Sequence, residues 1–133
     1  MLLMWLGCTA PDDSAAPASS PCDEEDRAGP LEPGQSFEGE QLSLTMLALD
    51  PDPAAVGDNT WTLDLGVEGC GALVSPRMPD HGHGGGVGEV SLDGETLRIE
   101  ELFLSMGGYW EVQVELTCPT VEEALLLTLC VEP

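Results

Sequence analysis

The sequence contains no lysine, and its only permanently basic side chains are Arg27, Arg77 and Arg98, set against 25 acidic residues for a formal net charge of -22. That balance excludes nucleic acid as a partner, because a phosphate backbone is held by lysine and arginine. The same repulsion keeps the chain off an anionic lipid surface unless attachment is covalent or made by an apolar segment. Past the first few residues, no apolar run approaches the roughly 18 residues of a membrane span. Catalytic signatures are missing too. Gly84 to Gly86 lack the lysine and hydroxyl residue of a phosphate-cradling loop, no dinucleotide fingerprint is present, and His81 beside Asp80 has no nucleophile motif to serve. A non-enzymatic protein is expected. With 133 residues the chain has room for one core, and its acidity suits a well-solvated exterior.

No two of the five cysteines are spaced as C-x-x-C, which argues against a cysteine metal site. Cys8 stands apart from Cys22, Cys70, Cys118 and Cys130. It follows the short apolar run Met1 to Gly7, as in a bacterial lipoprotein signal whose cysteine is acylated, although no basic residue precedes that run. The expectation is a signal segment over residues 1–8 with Cys8 lipidated, then an acidic Pro/Ala/Ser-rich tether over 9–35, then a domain over 36–133. This places the protein in the bacterial cell envelope, anchored by lipid alone and facing the periplasm or the exterior. Export would oxidise the four remaining cysteines; a reducing cytoplasm would leave them as free thiols.

From Phe37 onwards the apolar pattern has period two. Leu42, Leu44, Met46 and Ala48 form one face of a first strand, which Asp50-Pro51-Asp52-Pro53 terminates. Trp61, Leu63, Leu65 and Val67 form the second; Ala72 to Arg77 and Val87 to Leu92 are the third and fourth, the latter closed by the hairpin dipeptide Asp93-Gly94. Thr96 to Ser105 changes phase and predicts a bulge near Glu100-Glu101. Trp110, Val112, Val114 and Leu116 mark the sixth strand, and Glu123 to Val131 is read as the seventh, although Leu125 to Leu127 would also suit a helix. Seven short strands without a convincing helix predict an all-β fold, an immunoglobulin-like antiparallel sandwich, monomeric in solution.

In that topology alternate turns share an end. Asp50 to Asn59, Pro79 to Gly86 and Met106 to Gly108 would meet at one pole, and the turns carrying Cys70 and Cys118 at the other. The fold therefore favours Cys70 with Cys118 and, by elimination, Cys22 with Cys130, though four cysteines allow three pairings. The first pole would gather Met78, His81, His83 and Met106, two thioethers and two imidazoles. Such donors select copper, especially Cu(I), over magnesium, calcium or zinc. The alternative is that Pro79 to Gly84 is only a tight loop and that both methionines are core.

The order Asp50-Pro51-Asp52-Pro53, Gly57-Asp58-Asn59-Thr60-Trp61, Met78 to Gly84 and Met106-Gly107-Gly108-Tyr109-Trp110 resembles the YtkA-like and FixH-like domains over Phe37 to Leu116. In those a proline turn, a G-x-N-x-W strand start, an MP-x-H loop and a late M-x-G-x-W segment recur in sequence. The resemblance implies a small exported β-sandwich and, for some members, copper handling or assembly of respiratory oxidases with a copper-handling or membrane protein partner. It carries over Met78, His81, His83 and Met106 as positions to watch. This chain differs from the family in its four cysteines after Cys8.

Overall fold

The computed structural model describes residues 21–133, so the segment 1–8, its Cys8 and residues 9–20 lie outside the described residues. The described part is all-β. Its strands are β1 (Ser36–Glu38), β2 (Ser43–Asp50), β3 (Gly57–Asp64), β4 (Gly71–Met78), β5 (His83–Gly84), β6 (Gly86–Asp93), β7 (Thr96–Leu104), β8 (Gly108–Thr117) and β9 (Glu122–Val131). Two antiparallel sheets result, ordered β1-β2-β3-β7-β6 and β9-β8-β4-β5. Without the two short additions β1 and β5, the seven long strands divide four and three in the order of a constant-type immunoglobulin sandwich.

Alternation explains most of the packing. Trp61 and Leu63 of β3, Leu97 and Ile99 of β7, Trp110, Val112 and Val114 of β8 and Leu127 and Leu129 of β9 are wholly buried between the sheets. Leu126 is 48% exposed between buried Leu125 and Leu127, which is strand periodicity and not the helix those leucines could also form. The bulge near Glu100-Glu101 is present. The ladder runs from Asn59↔Leu102 to Trp61↔Ile99, so Thr60 alone opposes Glu100 and Glu101, and Glu101 adopts φ 52°. Across from it Gly88 has no side chain because a Cβ there would lie 2.6 Å from the Glu101 Cβ.

A second bulge corrects the expected phase of β2. Pairing passes from Met46↔Leu63 to Ala48↔Thr62, which leaves Leu47 unpaired. Leu42, Leu44 and Met46 face the core as expected, but beyond the bulge Leu49 turns inward and Ala48 outward. Val67, expected inward, is 37% exposed because β3 ends at Asp64.

Both disulfides follow the turn map: Cys70 is bonded to Cys118 and Cys22 to Cys130. The second bond changes the domain boundary. Residues 21–35, expected as the end of the tether, are fastened to the sandwich, and the folded unit begins before residue 36. The Cys130 amide donates to the Gly29 carbonyl at 2.9 Å, Leu31 is 1% exposed in the core, and the Gly34 amide donates to the Met46 carbonyl at 2.7 Å. Leu31 is the one large apolar side chain in that stretch, and it supplies the burial that flanking acidic residues cannot.

Near the Cys70–Cys118 bond, Glu123 at the start of β9 closes the sandwich. Its carboxylate accepts the backbone amides of Glu40, Gln41 (3.1 Å) and Leu42 (2.8 Å), and it fills the space a side chain at Gly39 would need. The Glu40 amide above all, then those of Gln41 and Leu42, hold this carboxyl below its ordinary range against some desolvation. A lowered pKa stabilises the fold at pH values above the ordinary 4.5 and withdraws that stability as pH falls through the lowered value. Glu123→Gln is expected to lower the melting temperature by a few degrees at pH 7. Melts repeated towards pH 3 should show the gap to wild type closing; a gap independent of pH would contradict this account.

Candidate functional site

The histidine stretch is a four-residue hairpin. Val74, Pro76 and Met78 of β4 occupy alternate positions facing the core, so Met78 enters it as the last member of an inward row. Met78 then pairs with His83 of β5, and its carbonyl accepts the amides of His81 at 3.2 Å and Gly82 at 2.9 Å. Pro79 pre-sets the first turn residue, and Gly82 supplies φ 67° for the return. His81 is therefore an exposed turn residue, and a left-handed glycine separates it from His83. His81 thus lies in the turn and only His83 in a strand, so the stretch from one to the other is not extended.

The β7–β8 turn reaches the same pole. Met106 is 37% exposed, and its carbonyl accepts the Trp110 indole N–H at 2.9 Å. At Gly108, φ is 129°, and a Cβ would sit 2.9 Å from the Met78 methyl carbon. Met78 and the Met106 turn are thus neighbours, but Met78 is 1% exposed and its thioether belongs to the core. The fold brings the hairpin bearing His81 and His83 to the pole where Met106 is accessible. It does not bring the Met78 side chain to that surface. Among the described residues, no group of three or more His, Cys, Asp or Glu is arranged to hold a metal ion.

What holds the hairpin was not legible as a site. Arg27 donates to both oxygens of Asp80 (3.1 and 2.5 Å) and to both oxygens of Glu25 (2.7 and 2.8 Å), with its guanidinium 3.9 Å above the Tyr109 ring. These bonds hold the carboxyls of Asp80 and Glu25 below the usual range and raise the pKa of Arg27. Tyr109 in turn donates to Glu111 at 3.1 Å, and Arg77 donates to the other Glu111 oxygen at 3.0 Å. Burial first, and then the Glu111 carboxylate, push the Tyr109 hydroxyl pKa up. Beside this network a depression of about 270 Å³ is lined by Arg77, Met78, Pro79, Gly82 and Gly84.

Two other motif segments have evident architectural roles. Asn59 is 1% exposed; its side chain accepts the Ala55 amide and donates to the carbonyls of Ala55, Gly57 and Leu102, closing the β2–β3 connection above buried Trp61. Gly107 lies against Pro133, where a side chain would collide with backbone. The fold and its two bonds thus define a disulfide-stapled immunoglobulin-like sandwich. Comparison with known proteins adds nothing more specific, since no family model, no curated protein and no solved structure matches the chain.

Proposed function

We propose that this chain is an exported, lipid-anchored β-sandwich whose hairpin pole binds a soft transition-metal ion, copper before others, through His81 and His83 with Met106 as the sulfur donor. The observation that carries this reading is the shared pole: the β4–β5 hairpin and the β7–β8 turn, remote in sequence, emerge side by side with Met106 accessible. Imidazole with thioether is a donor set suited to copper and poorly suited to magnesium or calcium. The two disulfides fit the oxidising compartment that export would provide. A protein of this kind would carry copper or pass it to a membrane protein partner, for instance in oxidase assembly, with no catalytic step of its own.

A second reading is favoured by the buried Met78 and by the Arg27 bonds that occupy Asp80. On it, the hairpin is architecture and the protein a structural or protein-binding lipoprotein domain. Titration with Cu(I) against a chromophoric chelator, and with Cu(II), distinguishes the two. On the first reading His81→Ala/His83→Ala weakens binding about tenfold or more, and Met106→Leu weakens Cu(I) selectively. Wild-type protein that binds neither ion, or a double variant that loses melting temperature without losing affinity, leaves the second.

A further inference from the structure

One edge of the sandwich is left open along most of a strand. On one side of β4 the β8 ladder runs from Gly71↔Thr117 to Arg77↔Glu111, but on the other side β5 pairs only with Arg77 and Met78. Residues 71–75 therefore have no strand beside them in the direction of β5. A single bond fixes where their backbone groups point. The Gly85 amide donates to the Pro76 carbonyl at 3.0 Å, so Pro76 turns its carbonyl away from β8. In an antiparallel ladder a residue's N–H and C=O point to the same side, and that side alternates along the strand. Ala72 and Val74 thus each aim one N–H and one C=O at the open edge. Pro76, which has no N–H, ends the row.

Beside this edge lies a groove. The crossing at Gly85 brings β4 and β6 along the same side of the sandwich, and the depression between them, about 380 Å³, has a lining that includes Leu73, Val74, Pro76, Val87, Glu89 and Val90. Val74 and Pro76 are buried, Val87 and Val90 half-buried, and Leu73 is 60% exposed, so most of this surface is apolar. Its rims are acidic. Glu89 stands on the β6 side, and Glu115, the partner of Leu73, on the β8 side. The three arginines are engaged elsewhere, Arg27 with Glu25 and Asp80, Arg77 with Glu111 and Arg98 with Glu100, so none is left to neutralise Glu89 or Glu115.

We infer that this edge takes an added β-strand: an extended segment of a basic partner protein pairs antiparallel with residues 71–75, sets small apolar side chains into the groove and carries lysine or arginine at the alternate positions. Those side chains lie next to Leu73, where their apolar stems cover it and their charges meet Glu115; Glu89 adds to the same field across the groove. Charge decides the occupant. A second copy of the chain would bring another Glu89 and Glu115 to the contact and a net charge of -22 with them, and residues 1–20 hold no basic side chain. Cys70–Cys118 fastens the start of β4 to the end of β8, so the edge is ordered before the partner arrives. The inference holds whether or not the hairpin pole takes a metal.

The test titrates the full chain with the acetylated, amidated heptapeptide Lys-Val-Lys-Val-Lys-Val-Lys at low ionic strength, reading affinity by calorimetry and amide exchange residue by residue. Binding should be saturable, should slow exchange at Ala72 and Val74, and should weaken as salt is raised. A peptide in this register donates from its valines. Methylating the valine backbone nitrogens should therefore weaken binding about tenfold, the worth of two main-chain bonds, whereas methylating the lysine backbone nitrogens should change it by about twofold at most. Glu89→Gln with Glu115→Gln should weaken binding about fivefold, as two exposed charge pairs allow. The counterpart peptide with glutamate for lysine should not bind. No saturable binding below about 1 mM peptide would overturn the inference. So would the same loss from methylating either set of nitrogens, which is adsorption by charge alone, or protection that falls on β6 or β9 in place of β4. Ala72 and Val74 amides already protected in the free chain would overturn it too, since residues 1–20 or a second copy would then occupy the edge.

Discussion

Replacing Cys70 and Cys118 together by serine is expected to lower the free energy of unfolding by about 4 kcal/mol, the chain-entropy value for a bond across a sequence separation of 48. For a domain of this size that corresponds to a fall in melting temperature of about 15 °C. The effect resides in the unfolded chain. In the folded state serine fits where cysteine stood, and the β4–β8 ladder beside it, from Gly71↔Thr117 to Arg77↔Glu111, does not need the bond to align. Urea unfolding should therefore show a steeper denaturant dependence in the variant as well as a lower midpoint, because a chain without that cross-link exposes more surface when it unfolds. A loss below about 1 kcal/mol would mean that the unlinked chain keeps the two turns together by other contacts.

The same pairing shows what the sequence could and could not reveal. Alternation in Trp110-Val112-Val114-Leu116 is strict because β8 lies in the middle of its sheet with one face in the core, and such a strand identifies itself. With strands legible, turns alternate between poles, and the cysteine pairing follows. The bulge at Glu100-Glu101 was legible for a related reason: leucines lost phase across two charged residues. The bulge at Leu47 was not, because Met46-Leu47-Ala48-Leu49 offers an apolar residue in either register.

The candidate site was legible in its pole but not in its donors. Met78 has the parity of Val74 and Pro76, so the period-two rule assigns it to the core even though histidines follow it in the sequence. Arg27 lay in a stretch whose composition reads as tether. The clues were physical: Leu31 had nowhere to go but a core, and an arginine in a chain with 25 carboxylates is bound to be claimed by several. The motif residues Asn59, Trp61, Gly108 and Trp110 all have structural work, closing a loop, filling the core or clearing Met78. A motif of this kind marks a fold more strongly than it marks a ligand, and the copper proposal accordingly rests on His81, His83 and Met106.

The glycine run Gly84-Gly85-Gly86 separates these two kinds of explanation most sharply. Gly84 pairs with Arg77 in one sheet and Gly86 with Phe103 in the other, so the chain crosses between sheets at Gly85. There the Gly85 amide donates to the Pro76 carbonyl at 3.0 Å, and a Cβ would fall inside contact of the Phe103 carbonyl oxygen and 3.0 Å from the Pro76 ring. Neither obstacle can step aside, since Phe103 is paired on both sides within its sheet and Pro76 is buried in β4. Gly85→Ala is expected to cost about 3 kcal/mol, the upper part of the range for overpacking. Gly86→Ala meets nothing within 4 Å and Gly84→Ala only the Pro76 carbonyl at 3.8 Å, so each should stay within about 0.5 kcal/mol of wild type. Equilibrium denaturation of the three single variants checks the contrast. A ligand-cradling loop would instead spread its sensitivity across all three positions in binding and leave stability alone, so three equal stabilities would remove the sheet crossing as the reason for these glycines.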